Sequence, residues 1–290
     1  MSKKHPIISV TGSSGAGTST IRHTFEQIFR REKVTAATIQ GDAFHSFTRE
    51  EMKLELERRA QARDGTFSHF SYEANDLNRL EALFQTYGET GNGQMLHYVH
   101  DQAEAATNGA SPGDFTAWRD FEPNTDLLPY EGLNGAIVND KINIAQHADL
   151  KIGIVPVINL EWIQKIHRDK ASRGYSTEAV TDVILRRMHA YVHCIIPQFT
   201  ETTINFQRVP VVDTSNRLVA PWIPTPDESL VVIRFKDLRE IDFSYLTNMI
   251  HGSWMSRANS IVIPGGKMDL AMQLIFTPMI ERLITQSRRV

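Results

Sequence analysis

The sequence predicts an α/β fold in which a mixed, mostly parallel sheet carries helices on both faces. Three observations carry that prediction. Short apolar runs alternate with segments of helical spacing over the first two-thirds of the chain, as strands joined by helical crossovers do. The first apolar run passes through a glycine-rich loop into a helix-like stretch, a strand–loop–helix unit over residues 7–31. The alternating stretch Leu96-His97-Tyr98-Val99-His100, set among Gly, Thr and Asn, breaks the rhythm and suggests a hairpin. No repeat or linker-like stretch divides the 290 residues. One domain is therefore expected over 1–290, with a lid around 165–176 and a C-terminal α/β extension from about 200.

Ile7, Ile8 and Val10 read as a short buried strand, and Ile21, Phe25, Ile28 and Phe29 take helical spacing over 22–31. Residues 34–40 read as a second strand, ending at Gly41-Asp42. Thr48 with Glu51 forms a capping box that opens a helix over 49–63. Residues 64–75 read as loop, and Asp76 as the cap of another short helix. Leu127, Leu128 and Tyr130 make a strand that ends in Glu131-Gly132. Residues 150–158 are the strongest strand, after which Asn159 caps a helix carrying Trp162, Ile163 and Ile166. Ser176 caps a helix whose Val180, Val183, Ile184, Met188, Tyr191 and Val192 recur at core-facing spacing. Strands near 209–212 and 230–235 and a helix from about Met268 complete the chain.

Composition narrows the function classes. With 31 Lys and Arg against 34 Asp and Glu, the net charge is −3, and non-specific nucleic-acid binding is not expected. No apolar stretch approaches the ~18–20 residues of a membrane span, and Lys3-Lys4 leads straight into a strand rather than a signal peptide. The single cysteine, Cys194, excludes an intramolecular disulfide and suits a cytoplasmic location. It lies in an apolar helical run and reads as a buried structural thiol. His189 and His193 stand at a spacing that can hold metal, but their apolar neighbours and the lack of a third ligand favour a structural role.

The chemistry begins at Gly12-Ser13-Ser14-Gly15-Ala16-Gly17-Thr18-Ser19-Thr20. Gly12 and Gly17, followed by hydroxyl residues, have the layout of a phosphate-cradling P-loop, G-x-x-x-x-G-K-[ST]. Glycines there let consecutive backbone N–H groups turn inward on phosphate oxygens at a helix N-terminus. Ser19 is placed for a phosphate-bound Mg2+, but Thr18 stands where the motif has lysine. Without that lysine, an ordinary tight turn is the competing reading of the loop. Other cations must then be found. Lys165, Arg168 and Asp169 share one face of a helix end, with Arg173 and Gly174 just beyond, so a basic lid can supply charge to a transferring phosphate. A merely solvated charged face is the alternative. Asp42, Glu131 and Asp169 fall at or beyond strand ends, where α/β ligands bind. Phosphoryl transfer to an alcohol needs one carboxylate to take the hydroxyl proton and another to hold Mg2+. Asp42 stands beside His45 and Arg49, a group suited to an anionic sugar; an Asx-turn role is its bland alternative.

Together, residues 12–20, 41–49, 130–133, 154–169, 195–199 and 250–257 resemble the phosphoribulokinases of the short bacterial type, over essentially the whole chain. The resemblance implies a P-loop kinase fold and Mg2+- and ATP-dependent phosphorylation of ribulose 5-phosphate at its 1-hydroxyl, giving ribulose 1,5-bisphosphate for CO2 fixation. It assigns ATP to Gly12 through Thr20, Mg2+ to Ser19 and Glu131, and the catalytic base to Asp42. Asp169, Lys165 and Arg168 become the other catalytic residues, and His45, Arg49 and Arg173 the sugar-phosphate binders. It further implies NADH as activator, AMP as inhibitor and a homo-octamer, with Arg31, Arg234 and Arg257 in the regulation. Plant relatives carry a regulatory P-loop cysteine where this chain has Ala16; bacterial ones carry a histidine where it has Asn134. The alternatives are a uridine kinase-like enzyme and a non-catalytic ATP-binding regulator. A neutral nucleoside gives His45, Arg49 and Arg173 no anionic partner, and a regulator leaves Asp42 unexplained.

Overall fold

A computed structural model describes residues 4–13, 18–218, 222–239 and 241–289. The elements are, in order, β1 (Ile7–Gly12), α1 (Thr18–Glu32), β2 (Ile39–Gln40), α2 (Arg49–Gln61), α3 (Leu77–Thr90), β3 (Gln94–Met95), α4 (Gln102–Asn108), β4 (Arg119–Asp120) and β5 (Leu128–Gly132). They continue as β6 (Leu150–Ile154), α5 (Ile158–Arg173), α6 (Thr177–Ala190), β7 (Ile204–Pro210), β8 (Ser229–Phe235), α7 (Phe243–Met249), β9 (Trp254–Arg257), β10 (Ser260–Pro264) and α8 (Met268–Ser287).

Eight strands form one sheet in the order β2-β5-β1-β6-β7-β8-β10-β9, parallel from β2 to β7 and antiparallel beyond. β1 lies between β5 and β6, covered on both faces, so every one of its residues is buried. Its pleat divides two cores. Ile8 and Val10 face Ile21, Phe25 and Ile28 of α1 and Met272, Ile275 and Phe276 of α8, whereas Ile7 faces Leu80 and Phe84 of α3. Helices thus lie on both faces, as expected. Among the described residues no helix is long and apolar enough to cross a membrane.

Several boundaries differ from the sequence reading. Of residues 34–40 only Ile39–Gln40 pair as strand, with one further bridge from Ala36 to Leu127, because β2 is the sheet edge and has a single neighbour. The strand read over 150–158 stops at Ile154, two residues before Pro156, which has no N–H to give a ladder. α5 starts before Asn159, with Val157 at the capping position and no side-chain cap. Arg173 ends α5 rather than lying in a loop, because Gly174 takes the left-handed conformation that closes the helix. The joint between α5 and α6 is therefore confined to 174–176. The strand expected at 209–212 runs instead over Ile204–Pro210, still parallel to β6; the antiparallel extension begins at β8. The small hairpin pairs β3 with β4, and Tyr98 meets Phe115 in a lone bridge. Both predicted caps at Thr48 and Ser176 form. Cys194 is buried, which pushes its thiol pKa up, and His189 and His193 stack with ring centroids 4.2 Å apart.

Candidate active site

Parallel strands bring their carboxyl ends to one edge of the sheet, and β1, β2, β5 and β6 all end there. Gln40 pairs with Glu131 and Thr11 with Gly132, so the starts of three loops lie side by side. Gly41 and Gly132 touch: a Cβ on either would lie 2.7 or 2.6 Å from the other's Cα, and Tyr130 closes in from beside them. Only glycine fits both positions, and the close approach sets Asp42 next to the end of β5.

The turn Gly41–Phe44 presents Asp42 between two imidazoles. His45 Nε2 is 3.3 Å from Oδ1 and His100 Nε2 is 3.2 Å from Oδ2. Burial pushes the Asp42 carboxyl up, but hydrogen bonds from His100 and His45 outweigh it and hold the group far below the usual carboxylate range. His45 Nδ1 faces Asn75 Oδ1 at 3.1 Å, and Asn75 is oriented by its Nδ2, which donates to the carbonyls of His69 and Ser71. Both His45 ring nitrogens therefore lie against oxygens, one of Asp42 and one of Asn75. Arg49, in the first turn of α2, donates from NH2 to the His100 carbonyl at 2.7 Å and so steadies the second imidazole. His69 approaches His45 edge-on, and burial followed by Arg187 lowers its pKa to about 3.

The face of α5 toward the cleft carries Glu161, Lys165 and Asp169 at successive turns, 7%, 6% and 3% exposed. Lys165 Nζ donates to Asp169 Oδ2 at 2.6 Å, and Arg168 Nε donates to Asp169 Oδ1 at 3.1 Å. Burial, then Arg187, lowers the Lys165 pKa to about 8, with Asp169 opposing. Glu161 Oε1 accepts the Ser13 hydroxyl at 2.5 Å, and burial raises its pKa against that bond.

Residues 7–215 match the family described as Phosphoribulokinase / Uridine kinase family. The chain belongs to that family. Phosphoribulokinase 1 of Cereibacter sphaeroides is 72% identical over 288 residues, 99% of each chain. Phosphoribulokinase of Nitrobacter vulgaris is 63% identical over 289 residues, 100% of each. The solved phosphoribulokinase from Rhodobacter spheroides has a TM-score of 0.91 at 68% identity, over 99% of this chain and 100% of that one. This protein of the phosphoribulokinase family therefore has the P-loop kinase fold and is an ATP-dependent kinase.

Against that family fold, the structure brings Asp42, His45 and Arg49 into one cluster and Lys165, Arg168 and Asp169 into another. Gly12 ends β1 with Ser13 just beyond it, and Thr20 lies in the first turn of α1; residues 14–17 lie outside the described residues, as do the side chains of Thr18, Ser19 and Arg173. Glu131 ends β5 half-buried, with no hydrogen bond or ion pair among the described residues, and such an uncommitted carboxylate beside a P-loop fits Mg2+. Sequence reasoning missed His100, His69, Glu161 and Arg187. His100 was legible only as a hairpin residue, and nothing in its neighbours announces the approach to Asp42. Arg31 donates to Gln273 and Thr277 of α8, whereas Arg234 and Arg257 flank Ser260 on neighbouring strands near the far edge of the sheet.

Proposed function

We propose that the chain transfers the γ-phosphoryl group of ATP to the 1-hydroxyl of ribulose 5-phosphate, giving ribulose 1,5-bisphosphate for CO2 fixation in the Calvin cycle. The observation that carries the reading is Asp42, an ionised carboxylate gripped from two sides by His45 and His100 at the mouth of the cleft. Asp42 accepts the proton of the attacking hydroxyl as the new O–P bond forms. The imidazoles fix its two oxygens while the hydroxyl approaches, and Arg49 holds His100 in place. His45 and Arg49 also supply positive charge for the sugar phosphate, with Arg173 as the third member of that set. Lys165 and Arg168, aligned by Asp169, face the oxygens of the transferring group and offset their growing charge. Mg2+ on Ser19 and Glu131, when bound, neutralises the phosphate oxygens. Residues 12–20 hold the ATP phosphates, and the missing P-loop lysine is compensated by the α5 cations.

We infer the same regulation and assembly as in the resemblance: NADH activates, AMP inhibits, Arg31, Arg234 and Arg257 take part, and the protein is a cytoplasmic homo-octamer. Relatives that share this chain's whole length support the kinase reading on which these inferences rest. The test is ATP consumption with ribulose 5-phosphate, with uridine and with no acceptor, each with and without NADH. Turnover with ribulose 5-phosphate alone is expected. Turnover with uridine alone overturns the substrate, and turnover with neither favours a regulator. Sedimentation at several protein concentrations tests the octamer.

A further inference from the structure

The first residue after Gly12 has a partner 148 positions away in sequence. Ser13 is fully buried, and its hydroxyl donates to Glu161 Oε1 at 2.5 Å, a short bond to a carboxylate that is itself 7% exposed. The Tyr191 hydroxyl also lies close enough to the Glu161 carboxyl to hydrogen-bond it, and Oε2 is buried. It borders a cavity of about 20 Å3 walled in part by Lys165, Arg187 and Tyr191. That volume suits one water, which would find donors in Lys165 and Arg187. Burying a carboxylate is costly, and an apolar residue would fill this site more cheaply if packing were the only task. Glu161 sits in the first turn of α5, and Lys165 and Asp169 follow it at four-residue steps on the same face.

We propose that Glu161 is a positioning residue that tethers the start of the phosphate loop to α5. The tether fixes Ser13, where β1 passes into the loop, and makes the end of β1 and the helix bearing Lys165 and Asp169 one mechanical piece. Without it Ser13 is no longer held, and apparent ATP affinity falls by the fraction of time the site is competent. The proposal rests on the ATP-binding reading of this loop but not on the sugar acceptor, so equilibrium ATP binding tests it apart from turnover.

The experiment is calorimetric titration of ATP into the full chain and into Ser13→Ala, Glu161→Ala, Glu161→Gln and the Ser13→Ala/Glu161→Ala double variant. Each alanine variant is expected to raise Kd about tenfold, equal to about 1.4 kcal/mol. The double variant is expected to be no worse than either single one. Glu161→Gln keeps an acceptor oxygen for Ser13 and is expected to recover most of the affinity. In steady state the alanine variants raise KM for ATP more than they lower kcat. Multiplying single effects, or a Gln variant as weak as Ala, overturns the tether. Should Glu161→Ala fail to fold, Ser13→Ala with Glu161→Gln decides the matter: unchanged ATP Kd in Ser13→Ala refutes it. If the unaltered chain binds no ATP, the reading of the loop itself fails.

Discussion

His69 makes the fold acid-sensitive, by an amount that the structure allows to be worked out. Its ring is half-buried edge-on to His45 within the field of Arg187 and Lys165, and its pKa falls from 6.5 to about 3, with desolvation the main cause. The unfolded chain takes up a proton near pH 6.5, whereas the folded chain resists until about pH 3. Stability from this residue is therefore complete above pH 6.5 and lost as pH falls toward 3. At 1.36 kcal/mol per pH unit, going from pH 7 to pH 5 costs about 2 kcal/mol, since nearly all of the loss falls between 6.5 and 5. The perturbation is His69→Asn, which removes the titration and leaves other groups as they are. Urea unfolding at pH 7 and pH 5 measures both proteins. The unaltered chain should lose about 2 kcal/mol more than the variant over that interval. Equal losses would refute the assignment of a desolvated neutral imidazole.

Other consequences are as open to measurement. Asp42→Asn should lower turnover by at least ~10^2-fold while ATP binding by calorimetry stays nearly intact; undiminished turnover removes Asp42 as the base. Lys165 loses its proton as pH rises through about 8, below the ordinary lysine value, so its ammonium is present only on the acid side of that point. Turnover should therefore fall above pH 8, and Lys165→Arg, though slower, should lack that limb because guanidinium stays charged. A shared limb would assign it elsewhere. Gly132→Ala would set a Cβ 2.6 Å from the Gly41 Cα. It should cost about 1–3 kcal/mol in thermal or urea unfolding as overpacking, and lower turnover through the displaced Asp42; a variant as stable and active as the parent would show that the two turns can part.

Asp42 shows how a site can be legible in kind and not in detail. A carboxylate after the second strand, near a histidine and an arginine, was visible as a candidate base. The second imidazole came from a hairpin 55 residues further on, through a pairing around β3 and β4 that short, weakly patterned strands do not announce. Glu161 hides for a different reason. No motif or spacing in the sequence singles it out, and only the closeness of α5 to the end of β1 makes it a buried partner of Ser13.

What the sequence determined by itself was whatever depends on neighbours in the chain: the β1–loop–α1 unit, the caps at Thr48 and Ser176, the glycines at 41 and 132, and the alternation that makes the sheet mostly parallel. Periodicity and capping act over a turn or two, so they survive in the linear text. The tertiary structure alone decided the strand order, the antiparallel edge beyond β7, the depth of Lys165 and Asp169, and the convergence of His100 on Asp42 and of Glu161 on Ser13. Those depend on which surfaces the sheet brings together, and a charge's meaning changes once water is gone: on α5, Lys165 and Asp169, which the sequence offered as part of a basic lid, lie buried in a row with Glu161.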